Sequence, residues 1–159
     1  MDHSQPFPLH VALYQPEIPP NAGNIGRLCV GLGLCLHVIH PIGFSMDEKA
    51  VRRAGLDYWQ HVQLREHANP EDFFKWARGR RLHLFSAHGK TCFTQVDFQP
   101  DDVLLFGPES TGLPRELVES RGAATIPMTG PIRSLNLSNA VAVVVYEALK
   151  SVQPDIFGS

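Results

Sequence analysis

Residues 125–150, TIPMTGPIRSLNLSNAVAVVVYEALK, decide how this chain is read. They begin as a short apolar strand, break into a Gly/Pro loop and enter a helix. The loop carries Arg133, Ser134, Asn136, Ser138 and Asn139, more polar groups than a simple corner needs. The helix behind it, from Leu137 to Leu149, is apolar on nearly every face. A surface helix shows one apolar stripe, and one that is apolar all round is covered on more than one side. This one is too short and too interrupted to span a bilayer. One side is therefore expected against the chain's own sheet and another against a second subunit. The polar loop held at that junction is a candidate binding site.

The 159 residues fit one domain, with a leader expected over 1–8, the domain over 9–153 and a tail over 154–159. A hydrophobic fraction of 43% and a charged fraction of 19% fit a globular protein. The net charge of −2 excludes a strong global pull toward nucleic acid, so any RNA contact has to use a local basic face. Cys29, Cys35 and Cys92 are odd in number and lack CxxC spacing, which points to reduced thiols and a cytoplasmic protein. No signal peptide or transmembrane run is visible.

Apolar runs predict strands over 9–14, 35–40, 61–65, 81–86, 102–107 and 124–127. Between them, Pro19 and Pro20 are expected to force an extended loop, with Asn21 capping a helix to about Gly33. Gly23, Gly26 and Gly31 in that helix cost about 1 kcal/mol each relative to alanine, which points to close approach by another backbone or a ligand, or, more commonly, to tight packing. A capping box from Ser45 to Glu48 opens a short helix to Ala54, Asn69-Pro70 caps one to about Arg78, and another spans 114–120. Strands alternating with helices imply a parallel sheet covered on both faces.

Several signatures fail. Gly89-Lys90-Thr91 lacks the upstream glycine of a phosphate-binding loop, since Leu84 stands there, and GLGLCL at 31–36 is not GxGxxG. The eight histidines are dispersed, His37 and His40 point to opposite faces of a strand, and no metal site is expected. The aromatic residues near Phe73 read as core. Three segments remain: 21–27 (NAGNIGR), 106–114 (FGPESTGLP) and 126–140 (IPMTGPIRSLNLSNA). Each alone is a helix start, a tight turn or an N-cap. Together they are polar, Gly/Pro-rich loops at the carboxyl ends of parallel strands, where ligands bind in open α/β sheets.

The segments PEIPPNAGNIGR, LLFGPESTGLP and IPMTGPIRSLNLSNAVAVVVYEAL resemble, in order and spacing, the three motifs of the SpoU-type branch of the SPOUT RNA methyltransferases. LHVIHPIGFSMDEKAVRRAGLDYW, residues 36–59, is similar to the subgroup that methylates the 2'-oxygen of cytidine or uridine at the tRNA wobble position. The resemblance implies an α/β fold, a mostly parallel sheet with helices on both faces, and a C-terminal deep trefoil knot, a rare exception to unknotted topology. It also implies S-adenosyl-L-methionine as cofactor, a tRNA substrate (a leucine tRNA is expected) and a homodimer through the last helix, with no membrane and no metal.

On matching positions, the resemblance implies that backbone around Phe85, Gly107, Ile126 and Met128 lines the adenosine pocket. Glu109 begins the turn that closes over it, and Ser134 and Leu135 lie beside the cofactor. Arg27, Asn21, Ser134 and Asn136 form the catalytic set, with Tyr146 at the dimer face and Arg52 and Arg53 on the tRNA. The implied chemistry requires the 2'-hydroxyl to be held in line with the methyl group and its proton removed. Arginine's pKa above about 12 favours Arg27 as a phosphate anchor that orients the hydroxyl, from either subunit, over a neutral Arg27 acting as base. Two other readings stand beside this one: action on another tRNA or rRNA site, and a non-catalytic binding module. A nucleotide hydrolase ranks last, since its lysine and acidic cluster are missing.

Overall fold

Successive residues of a strand point to opposite faces, and a central strand of a covered sheet is apolar on both. Leu9–Tyr14 (β1) meets that description, with five of its six residues buried. The computed structural model describes residues 6–47, 49, 51 and 58–158. The other strands are Cys35–Ile39 (β2), Gln63–His67 (β3), Leu82–Phe85 (β4), Thr91–Cys92 (β5), Asp102–Phe106 (β6) and Ala124–Thr125 (β7). They form one sheet in the order β3-β2-β1-β6-β4-β7-β5, parallel throughout.

The period of two along β1 divides the core. Leu9, Val11 and Leu13 pack with Ala22, Ile25 and Cys29 of helix Pro19–Leu32 (α1), and with Val141, Val144 and Val145 of helix Leu137–Val152 (α4). Ala12 faces the other layer, with Phe73 and Ala77 of helix Pro70–Ala77 (α2) and with Leu117 and Val118 of helix Arg115–Arg121 (α3). The expected α/β architecture, a parallel sheet with helices on both faces, is therefore found. No helix among the described residues is long and apolar enough to cross a membrane.

Local expectations need correction. Pro19 and Pro20 do not extend the chain; they start α1, where a missing N–H costs nothing because the first helical donors have no partner in the helix anyway. Asn21 is thus inside the helix and is not its cap; the cap position is Ile18, which has no side-chain cap bond. The edge strand β5 was not foreseen, because two residues carry no periodicity. β3 begins at Gln63, and Trp59–His61 before it is a single 3-10 turn. The helix expected to run to Ala54 falls largely outside the described residues, as do Arg52 and Arg53.

The helical glycines divide into two cases. A Cβ on Gly26 would lie 2.8 Å from the Trp59 ring, so this residue lets Trp59 pack against α1. A Cβ on Gly31 would meet nothing within 4 Å. Gly31→Ala is therefore expected to stabilise the fold by about 0.5–1 kcal/mol through helix propensity, read as a higher urea midpoint with an unchanged slope.

The dispersed histidines converge. His10, His37 and His67 stand on three adjacent strands and join end to end: His10 Nδ1 to His37 Nε2 at 2.9 Å, and His37 Nδ1 to His67 Nε2 at 2.9 Å. His10 Nε2 continues the chain to Asp101 at 2.8 Å. One tautomer set satisfies it, each Nε2–H donating toward Asp101. Trp76 covers His37 at 4.3 Å between ring centroids. Cys35 also brings its sulfur within 4.8 Å of a nitrogen of His10 and of His37, but both ring nitrogens of each histidine are already engaged, with each other, Asp101 and His67.

Burial, reinforced by His10, His67, Arg65 and Arg80, pushes the His37 pKa down to about 2, and burial also lowers His10 and His67. The unfolded chain takes up these protons at a pKa near 6.5 while the folded chain refuses them. Stability is thus complete above about pH 6.5 and is lost as pH falls below it, by about 1.4 kcal/mol per unit from His37 alone. Urea midpoints measured from about pH 7 to pH 5 should fall accordingly; flat midpoints would contradict the neutral chain.

Candidate functional site

In a parallel sheet the loops after the strands gather at one edge, and here they enclose a cavity of about 340 Å³. It lies among the segment after β4 (Ser86 to His88), the turn after β6 (Gly107 to Gly112), the loop before α4 (Arg133 to Asn136) and the start of α1 (Ile18, Asn21). Of the residues expected here, Phe85, Gly107, Glu109, Ile126, Ser134, Leu135, Asn21 and Asn136 line the cavity. Met128, half-buried, stands outside it, and so does Arg27. Arg133, of the polar loop, lines it too, and so do Ser86, His88 and Thr111, which the sequence does not single out. The rule that brought in the other loops, proximity to a strand's carboxyl end, applies equally to Ser86 and His88 after β4.

The turn after β6 owes its shape to Gly107. A Cβ there would overlap the backbone of Gly112 and Leu113, which cannot swing aside as a side chain can. The turn closes on itself through Gly112 N–H donating to the Pro108 carbonyl at 2.8 Å. It therefore presents backbone edges to the cavity at a distance only glycine permits.

Two glutamates lock this turn to α1. The Glu109 carboxylate accepts from the Glu17 N–H at 2.7 Å, the Ile18 N–H at 2.9 Å and Asn21 Nδ2 at 3.1 Å. The Glu17 carboxylate accepts from the Ser110 N–H at 2.7 Å and hydroxyl at 2.9 Å, and these bonds lower its pKa. Glu109 thus satisfies the N–H groups of the two residues before α1, and puts a negative charge at the positive end of that helix. Its carboxylate is engaged in the wall of the cavity.

Asn21 and Asn136 extend the lock to the third segment. Asn136 Nδ2 donates to Asn21 Oδ1 at 3.2 Å, while Asn136 Oδ1 caps α4 by accepting from the Ser138 N–H at 2.9 Å and the Ser138 hydroxyl at 2.6 Å. Segments 21–27, 106–114 and 126–140 are therefore one hydrogen-bonded unit, Glu109–Asn21–Asn136–α4. Ser134 and Leu135 sit on the loop this unit fixes. Arg27 lies further along α1, exposed, with its guanidinium 4.8 Å from the Tyr58 ring centroid.

Comparison with known proteins gives this arrangement a context. Residues 8–146 match the SpoU rRNA Methylase family. The chain is 47% identical over 147 residues to a tRNA (cytidine(34)-2'-O)-methyltransferase of Aeromonas hydrophila, covering 91% of this chain and 94% of that one. A solved structure concerned with the 2-OH methylation of C/U34 on tRNA superposes with a TM-score of 0.89 at 48% identity, covering 94% of this chain and 99% of that one. An AdoMet-bound rRNA methyltransferase from Sinorhizobium meliloti superposes with a TM-score of 0.84 at 28% identity, covering 94% of this chain and 58% of that one.

Proposed function

Because the chain belongs to the SpoU rRNA Methylase family, we propose that it transfers a methyl group from S-adenosyl-L-methionine to the ribose 2'-oxygen of the tRNA wobble nucleotide, cytidine or uridine 34. The observation that carries this reading is the closure of three sequence-distant loops on one cavity, in a chain 47% identical to a tRNA (cytidine(34)-2'-O)-methyltransferase. The rRNA-methylating relative is more distant, at 28%, which favours tRNA as substrate.

The residues present fit this cofactor. Phe106, Ile126 and Leu137 offer apolar walls for a purine, and the turn at Gly107 offers backbone donors and acceptors at its edge. S-adenosyl-L-methionine supplies an electrophilic methyl group on a sulfonium whose charge vanishes on transfer, so no metal enters the reading. Ser134 and Leu135 form the lip beside the cofactor, and Glu109, Asn21 and Asn136 hold the walls in register. Arg27 orients the acceptor nucleotide. Its place outside its own chain's cavity supports its supply to the cavity of a second copy.

A homodimer through α4 belongs to this reading. Val143 and Tyr146 on α4 and Ile156 and Phe157 after it are 39%, 45%, 48% and 50% exposed, an apolar strip that a second copy would cover. A deep trefoil knot belongs to it as well: β7 lies between β4 and β5, and the loop leaving it shares a cavity with the turn after β6. A cytoplasmic location fits three cysteines, an odd number without CxxC spacing.

Methyl transfer to tRNA by Arg27 variants tests the assignment. Arg27→Ala is expected to lower turnover by about 100-fold or more with unchanged S-adenosyl-L-methionine affinity, as loss of orientation does. Arg27→Lys keeps the charge but not the planar fork, and should restore tRNA binding with part of the turnover. A lysine variant that binds tRNA yet is inactive at every pH would instead make Arg27 the proton acceptor.

A further inference from the structure

A second cavity, of about 770 Å³, adjoins the first across the turn after β6. The two share Ser86, His88, Pro108, Thr111 and Gly112, so the turn is a partition between them. The floor of the second cavity includes Tyr14 and Gln15 at the end of β1, and its rim carries Lys90 and Arg115, both exposed. None of the assignments above uses it.

Its chemistry is cationic and aromatic. Among the described residues, neither the Lys90 ammonium nor the Arg115 guanidinium has a carboxylate partner, whereas Arg80 and Arg81 are both paired. Glu119 is the one acidic residue on the lining against Lys90 and Arg115, so the lining itself keeps a positive excess, while Glu71 and Glu116 act on Tyr14 from outside it. The Tyr14 phenol, half-buried, has its pKa raised by burial and by Glu71 and Glu116, so it stays a neutral ring with a hydroxyl to donate. Gln15 holds a left-handed backbone, φ 48°, rarely adopted by a residue other than glycine and concentrated at functional sites. Two unpaired cations beside an aromatic ring are what single-stranded nucleic acid uses, phosphate on charge and base on ring.

We infer that this second cavity holds a nucleotide flanking the one that is methylated, with Lys90 and Arg115 on its phosphate and Tyr14 against its base. The site rests on the proposed reaction and adds to it. The two cavities share one wall, so a strand whose target ribose enters the first has the second within reach of its next nucleotide. It also supplies the local basic face that the sequence requires for any RNA contact.

Charge reversal tests this. Lys90→Glu and Arg115→Glu change exposed side chains, and Lys75→Glu on α2, away from both cavities, controls for net charge. Each rim variant is expected to raise the KM for tRNA about tenfold, to leave S-adenosyl-L-methionine affinity unchanged, and to flatten the dependence of log binding on log salt by about 0.7, the share of one single-strand phosphate contact. Tyr14→Leu should raise the same KM without altering the salt slope. Rim variants that behave like Lys75→Glu would overturn the site while wild-type methylation of tRNA continues. A wild-type protein that methylates no tRNA would overturn the reaction on which the site rests.

Discussion

Gly107→Ala is expected to weaken S-adenosyl-L-methionine binding by roughly 10- to 100-fold and to abolish detectable methylation at ordinary cofactor concentrations. The added Cβ would overlap the backbone of Gly112 and Leu113. Backbone cannot be repacked like a side chain, and Gly112 is itself held by its N–H bond to Pro108 and by a left-handed φ of 70°. The turn has to open by an ångström or more, at an overpacking cost of about 1–3 kcal/mol. That turn is a wall of both cavities, so its displacement falls on the proposed cofactor site. Calorimetric titration reads the affinity, and a fall in Tm of roughly 2–10 °C should accompany it. Wild-type affinity in the alanine variant would mean that the turn is not the cofactor's wall.

Glu109→Ala is expected to be comparably damaging from a position whose carboxylate is engaged within the wall. Its removal strands the Glu17 and Ile18 N–H groups and the Asn21 amide, three donors that now share one carboxylate. Hydrogen bonds to a charged acceptor contribute about 1.5–3 kcal/mol each, reduced here because the site is partly solvated. A total loss of about 2–4 kcal/mol corresponds to a Tm lower by roughly 5–15 °C. The effect should pass along the chain of amides. Glu109→Ala and Asn136→Ala together should cost less than the sum of the two, with a coupling of about 0.5–3 kcal/mol in a double-mutant cycle, because Asn21 bridges them. Strict additivity would show that the three segments are not one unit. Glu109→Gln should fall between, since its amide keeps one acceptor oxygen and turns the other into a donor.

The sheet was legible because its signal is redundant. β1, β2 and β6 are apolar runs apart from His10, His37 and Asp102, and each is flanked by a turn or helix start with its own chemistry. Asn69 before Pro70 did cap α2, accepting from the Asp72 N–H at 2.7 Å. What failed were features decided by partners far away in sequence. Asn21 looks like a cap because asparagine usually is one; here its amide is drawn into the helix side by Glu109 and Asn136, 88 and 115 residues away. His10, His37 and His67 meet only because β1, β2 and β3 are neighbours, and no spacing within a strand reveals that. β5 exists because β7 offers it an edge.

The site was legible as loops more than as contacts. Gly107, Glu109, Ser134, Leu135 and Asn136 were named from motifs, and the structure sets them around one cavity. Whether Glu109 faces the cavity or braces it depends on where the Glu17 and Ile18 amides come to rest, and that is a tertiary fact. The second cavity shares the 106–114 motif, but its cations belong to no motif, because they come from the segment after β4 and from the start of α3.

The central claim is that these loops assemble a site for methyl transfer to the ribose of nucleotide 34. Purified chain given S-adenosyl-L-methionine with an isotopically labelled methyl group and unmethylated tRNA, followed by nuclease digestion and mass spectrometry, reads it directly. Label is expected on the 2'-oxygen of nucleotide 34 and nowhere else. Label on a base or at another position, or none at all from folded protein that binds the cofactor, would contradict it.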